Sequence, residues 1–193
     1  MKIAYFLFIL CILISLSCIV YNVLFSTDLI IILYKSTGFS SLFFLNLSLI
    51  CALISSKKIK VNFNISRAFV RIFGIYSFVF IFFHFLIYFV LSKNLSFVKF
   101  FNDISSKGLE FSGFVAFVMM FLMFLSSFKY FKILQKIQKL GYICLLVSSF
   151  HIILANEKIE ILEALILILS LFYLYKRYKN LKIFKYNVKN DDF

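Results

Sequence analysis

The chain has 193 residues, 63% of them hydrophobic, with 29 phenylalanines and a formal net charge of +13. A soluble domain of that length cannot hide so much apolar surface, whereas lipid solvates it, so the composition excludes an ordinary soluble protein and predicts an all-α integral membrane protein. The positive charge does not point to nucleic acid, because the basic residues interrupt apolar runs at intervals and leave no soluble segment to lay a basic face on a duplex.

In chain order the apolar spans cover residues 4–25, 38–55, 69–92, 111–128, 141–155 and 161–175. Several fall short of the roughly 20 residues that an upright helix needs, and the fifth is expected to borrow from residues 133–140, whose lysines can snorkel. A short apolar piece, 29–34, precedes Ser36-Thr37-Gly38 and reads as a partial turn at the interface, with Ser36 or Thr37 capping the second span. The fold expected is a single transmembrane domain over residues 1–193, a six-transmembrane helix bundle or five spans plus a re-entrant segment. The first span reads as a retained helix and not a removable signal, since it is long and five more follow. Tryptophan and proline are absent, so tyrosines such as Tyr130, Tyr142, Tyr175 and Tyr178 supply the interfacial belt.

Lys and Arg set the orientation. With the N-terminus inside, sixteen basic residues fall on inner segments: Lys2, Lys57, Lys58, Lys60, Arg67, Arg71, Lys129, Lys132, Lys136, Lys139 and the tail Lys176 to Lys189. Five fall outside, namely Lys35, Lys93, Lys99, Lys107 and Lys158. Both termini are therefore expected in the cytoplasm, with residues 176–193 forming a basic cytoplasmic tail that anionic lipid or a flavoprotein would meet. The longest outer loop, residues 93–110, carries Phe97, Phe100 and Phe101 among charges. It reads as an amphipathic helix on the outer surface, either a plain connector or a docking place for a soluble partner.

Two histidines occur, and both lie deep in apolar spans. An imidazole is costly in lipid without a partner, so an intramembrane histidine is a functional-site hypothesis by default. His84 lies beyond the midpoint of the third span and His151 near the outer end of the fifth. The stated topology places both in the outer leaflet on parallel helices. Two such imidazoles can ligate one iron–porphyrin from opposite faces. The competing reading is that each bonds a neighbouring helix as packing glue, or relays protons or ions. Cys11, Cys18, Cys51 and Cys144 lie within spans and read as small apolar fillers, and the absence of C-x-x-C-H excludes c-type haem attachment. Glu163, at the outer start of the sixth span, could approach a histidine or a propionate-binding lysine, and interfacial solvation is the simpler account.

Ser36-Thr37-Gly38, then Ser66-Arg67-Ala68 with Gly74, then His84 followed by Tyr88, resembles the MsrQ branch of the ferric reductase-like transmembrane proteins. Residues Leu134 to Tyr142 resemble that family's approach to its fifth helix, and the likeness spans about residues 30–185. It implies haem b held by His84 and His151, one such group toward the outer leaflet. It also implies an electron-transfer subunit of the bacterial inner membrane, not catalytic alone. Electrons would arrive from the quinone pool or a cytoplasmic flavin reductase and leave to a periplasmic molybdenum-dependent methionine sulfoxide reductase.

One departure concerns the inner side. Members of this family often carry another histidine about four turns earlier on the fifth helix, where this chain has Gln138, and the comparable depth of the third span holds Arg71. Neither is a usual haem ligand. An inner redox site would need a flavin (FMN), a quinone or a weakly ligated second haem, and Arg71 and Gln138 read as lining its entrance or as ordinary interfacial residues. The alternatives are a ferric or quinone reductase-type subunit with another acceptor and a haem-free small transporter or assembly protein. A self-contained ferric reductase is not expected, because 193 residues leave no room for flavin and nicotinamide domains.

Overall fold

The computed structural model describes residues 29–56, 63–128, 137–156 and 161–190, with isolated positions between 6 and 24. The described elements are helices: α1 (Leu29–Ser56), α2 (Phe63–Ile87), α3 (Phe97–Ser106), α4 (Gly108–Ser126), α5 (Gly141–Ala155) and α6 (Ile161–Asn190), with a π-helical turn over Tyr88–Ser92 ending the second. Most of the first expected span lies outside the described residues, as do Lys57, Lys58, Lys60, Lys129, Lys132, Lys136 and Lys158 of the basic loops.

Four helices among the described residues are long and apolar enough to cross a membrane: Ile30–Leu53, Ala68–Ser92, Gly108–Ser126 and Ile137–Ala155. Helices are the expected solution, since in hydrocarbon every backbone N–H and C=O must be satisfied within its own segment. Large apolar side chains on their flanks, such as Phe43, Phe82, Phe83, Phe121 and Phe150, are exposed, as lipid contact permits and water does not. The chain is a multi-pass helical membrane protein. The fifth span does borrow from upstream, through a 3₁₀ turn at residues 137–140 that runs into Gly141.

The second span departs from expectation. Residues 29–34 are not a separate interfacial piece, and neither Ser36 nor Thr37 is a cap, because α1 runs unbroken through them. Their hydroxyls donate back to the carbonyl of Leu33, at 3.2 Å from Ser36 and 2.7 Å from Thr37. Hydroxyls that bond the preceding turn need no water and can stay inside an apolar helix. The last helix also outruns its expected end at residue 175, continuing to Asn190. No proline or glycine stands there to stop it.

Lipid removes most of the hydrophobic drive between helices, so close packing and interhelical hydrogen bonds carry the association. α1 and α2 run antiparallel and are joined by a reciprocal serine pair: Ser41 donates to the Ser77 carbonyl at 2.9 Å and Ser77 to the Ser41 carbonyl at 2.7 Å. Nearer the other end, Ser48 donates to the Val70 carbonyl at 2.9 Å. Each such bond contributes about 0.6 kcal/mol in a membrane protein. α4 and α5 form a second antiparallel pair. The common core collects Leu42, Leu45 and Leu49 from α1, Phe78 from α2, Met120 from α4, Cys144 and Leu145 from α5 and Tyr173 from α6.

At the α3 end the chain turns through Asn94 and Leu95, both at positive φ (51° and 59°). Ser96 then caps α3 by accepting from the Lys99 N–H at 3.4 Å. The amphipathic helix expected in this loop is present. Its Phe100 is buried against Phe85 and Phe89 (both 5.7 Å between ring centroids) and Phe114 (5.9 Å), while Phe97, Val98 and Phe101 are exposed. Asp103 anchors the helix, taking Lys93 across the turn and Lys107 at 3.2 Å.

The bonds from Lys93 and then Lys107 hold the Asp103 carboxyl below its ordinary pKa, and the Asp103 bond raises Lys93 above its own. Asp103 therefore stabilises the docked helix above its unfolded pKa of roughly 3.9, and this is lost as pH falls through its lower folded value. Lys93 contributes below roughly 10.4, and this is lost as pH rises through its raised folded value. The tether holds across the window between. Asp103→Asn is expected to speed amide exchange in residues 97–106 at pH 7 while leaving α4 and α5 protected. Unchanged protection of α3 would show that Phe100 alone seats it.

Candidate functional site

The two histidines meet. His84 projects from the last turn of α2 and His151 from α5, and their ring centroids are 6.4 Å apart with the planes crossed at 84°. They share a cavity of ≈ 340 Å³ lined mainly by apolar side chains of four helices, Phe39, Phe85, Phe114 and Phe117 among them. Its volume and its apolar wall with a few convergent polar groups are those of small-molecule sites, about 300–1,000 Å³.

Each imidazole is held in the same way. His84 Nδ1 lies 2.9 Å from the Tyr34 carbonyl and 3.4 Å from Thr37 Oγ1. A Cβ on Gly38 would stand 3.2 Å from its Cε1 and Nδ1. His151 Nδ1 lies 3.0 Å from the Leu109 carbonyl and 3.3 Å from Ser112 Oγ. A Cβ on Gly113 would stand 2.6 Å from its Cε1. A carbonyl can only accept, so Nδ1 carries the proton in both rings and Nε2 keeps its lone pair. Among the described residues neither Nε2 makes a hydrogen bond. Tyr34 adds a tilted ring over His84, with centroids 3.9 Å apart.

The local reason lies in helix geometry. A helical side chain leans toward the N-terminus and covers the carbonyl one turn back. Glycine four residues after Tyr34 and after Leu109 leaves that carbonyl open, and its second lone pair accepts from an imidazole on the facing helix. A glycine inside a helix costs about 1 kcal/mol against alanine; the contact with the ring requires it at Gly113 and favours it at Gly38. Reading the chain left to right did not single out Ser112 and Gly113. The available signal was a repeated triplet, Thr37-Gly38-Phe39 and Ser112-Gly113-Phe114, standing one helix before each histidine.

Polar groups also reach the cavity. Glu110 and Glu163 line it with Asn156. Glu163 is not the solvated carboxylate expected, since it is 2% exposed and Asn156 donates to it. A carboxylate so buried needs a donor, and the Asn156 amide supplies one. Arg71 and Gln138 are not part of this site: both are exposed, neither lines the cavity, and the Gln138 amide donates to the Ser126 carbonyl at 3.4 Å. Cys144 is buried in the α4–α5 contact and Cys51 is half-buried. Among the described residues no group of three or more His, Cys, Asp and Glu that could hold a metal ion converges.

Comparison with known proteins gives one family. The family model for the ferric reductase like transmembrane component matches residues 37–137. That stretch holds both glycine triplets and His84, and ends before His151. No curated protein and no solved structure matches the chain. The match covers more than half of the sequence, and the chain belongs to the ferric reductase like transmembrane component family.

Proposed function

We propose that this protein is a haem b-binding electron-transfer subunit of a membrane oxidoreductase system, with His84 and His151 as the two axial ligands. The observation that carries the reading is the imidazole pair itself. A metal held between two imidazoles at about 2 Å from each nitrogen puts the ring centres roughly 6 Å apart, and the rings stand at 6.4 Å. Their Nδ1 atoms are already committed to carbonyls, which leaves Nε2 as the ligating atom in each. The cavity wall is apolar and aromatic, as a porphyrin face requires. Family membership supports the same class of function.

Held by His84 and His151, the group would supply one-electron transfer chemistry. The residues of this chain do the rest. His84 and His151 would hold the group through Nε2, Tyr34 and Leu109 orient the two rings through their carbonyls, and Phe85, Phe114 and Phe117 would exclude water. Phe100 seats α3 over the same end of the bundle. Glu110 and Glu163 place polar side chains at the cavity wall.

In the finer reading the bundle has six spans with both termini in the cytoplasm of a bacterial inner membrane, and the cavity lies toward the periplasm. It carries one haem; a quinone or flavin on the inner side hands over electrons, and a periplasmic methionine sulfoxide reductase takes them, as in the MsrQ branch. The strong inner bias of Lys and Arg supports that orientation. The test is a reduced-minus-oxidised visible spectrum of the detergent-purified full chain from haem-replete cells. Paired low-spin α and Soret bands are expected. A folded, colourless protein would sink the reading and put the haem-free transporter or assembly role in its place.

A further inference from the structure

The two histidine holders are copies of one device. On α1 the carbonyl of Tyr34, the hydroxyl of Thr37 and the bare Cα of Gly38 meet His84; on α4 the carbonyl of Leu109, the hydroxyl of Ser112 and the bare Cα of Gly113 meet His151. Carbonyl, hydroxyl and glycine stand at positions i, i+3 and i+4 in both, and a phenylalanine that lines the cavity follows each glycine, Phe39 and Phe114. The surrounding architecture repeats as well. α1 and α2 are an antiparallel pair with the holder on the first helix and the histidine on the second, and α4 and α5 are another. A satisfied packing histidine needs one acceptor. It does not need the same three-part holder built twice, with the rings crossed at 84° over a shared cavity.

We propose that Thr37-Gly38-Phe39 and Ser112-Gly113-Phe114 are duplicate imidazole-positioning units, which lock His84 and His151 as Nδ1–H tautomers with crossed ring planes. The proposal rests on the electron-transfer reading for its purpose, although its geometry stands without it. Each part has a separate task. Glycine opens the carbonyl, the carbonyl takes the Nδ1 proton, and the hydroxyl stops the ring from rotating about that bond. The Thr37 hydroxyl donates its own proton to Leu33 at 2.7 Å and the Ser112 hydroxyl to Leu109 at 2.8 Å, so each oxygen faces Nδ1 as an acceptor. Two acceptors around one N–H hold the ring plane as well as the tautomer. These are positioning residues; neither hydroxyl is the atom a bound group would touch.

The presence of two histidines in the whole chain makes the test direct. The full chain labelled with ¹⁵N-histidine is expected to show two bare Nε2 resonances and two protonated Nδ1 resonances. The haem-free protein gives the tautomer reading; in the reduced loaded protein, whose low-spin iron is diamagnetic, only the protonated Nδ1 resonances are read, because Nε2 is then committed to iron. Thr37→Val, which keeps shape and removes the hydroxyl, is expected to bring a second set of His84 signals from the Nε2–H tautomer while His151 is unmoved. Ser112→Ala should do the converse, and Thr37→Ser should restore the single set. In the oxidised loaded protein, crossed axial imidazoles give a highly anisotropic low-spin EPR signal, and the Thr37→Val/Ser112→Ala double variant is expected to shift it toward the rhombic form of parallel rings. Nε2–H tautomers in the unsubstituted chain, or a double variant with unchanged ring signals, would overturn the proposal. A haem-free protein whose rings show the expected tautomers would instead overturn the haem reading and leave the positioning units standing.

Discussion

Replacing either His84 or His151 with alanine is expected to abolish the paired low-spin bands of the loaded protein, not to halve them. The two rings belong to one site, 6.4 Å apart, and an iron with one imidazole left is five-coordinate and high-spin. Methionine at either position separates ligation from filling of space. It keeps a ligand of similar reach, so His151→Met is expected to stay six-coordinate while its potential rises, as histidine–methionine ligation does. A packing role makes a different set of outcomes. Alanine would then cost about 0.6–1.7 kcal/mol of an interhelical bond, and the spectrum would be the same in the variants as in the unsubstituted chain. Visible spectra and redox titrations of the four variants decide it. Bands that survive in both alanine variants would remove these histidines from the site.

The second large effect is steric and unequal between the two holders. Gly113→Ala puts a methyl 2.6 Å from His151 Cε1 and 3.0 Å from its Nδ1, closer than real contacts allow, so the imidazole must leave its position. Gly38→Ala puts one 3.2 Å from His84, which a shift of a few tenths of an ångström relieves. Alanine would otherwise strengthen either helix by about 1 kcal/mol, so a loss cannot be charged to helix propensity. Changes in residues that orient a metal ligand cost about 10–100-fold in affinity. Gly113→Ala is expected at or beyond the upper end and Gly38→Ala at the lower, measured as haem retained per folded protein, with thermal unfolding in detergent as the control. Equal retention in both, or a heavier loss for Gly38→Ala, would show that the holders do not work through ring contact.

What was legible in the chain follows from the physics of its solvent. Apolar runs broken by basic loops mark helices, because hydrocarbon forces each segment to satisfy its own backbone. Two imidazoles standing inside such runs are legible for the same reason, since lipid makes them expensive. The amphipathic pattern of residues 97–106 also reads locally, for it is a matter of which side chains share a helix face. Ser36-Thr37-Gly38 misled as a helix start. In water those residues favour caps and turns, but in α1 the hydroxyls bond the turn behind them and the glycine faces an imidazole. Glu163 misled similarly. Its position at a helix start suggests water, yet it is buried with Asn156.

By itself, then, the sequence determined the solvent, the helical class and the presence of two costly rings at comparable depth. Tertiary structure alone decided that the rings face each other across one cavity, that Tyr34 and Leu109 are the carbonyls that take their protons, and that Gly38 and Gly113 stand where those bonds need room. Helix formation depends on neighbours within a turn or two, and a composition reports on those. Register and rotation between helices depend on sub-ångström packing and a few hydrogen bonds worth about 0.6 kcal/mol each, between residues as distant in the chain as Tyr34 and His84. Beyond the repeated triplets Thr37-Gly38-Phe39 and Ser112-Gly113-Phe114, no local pattern carries that information.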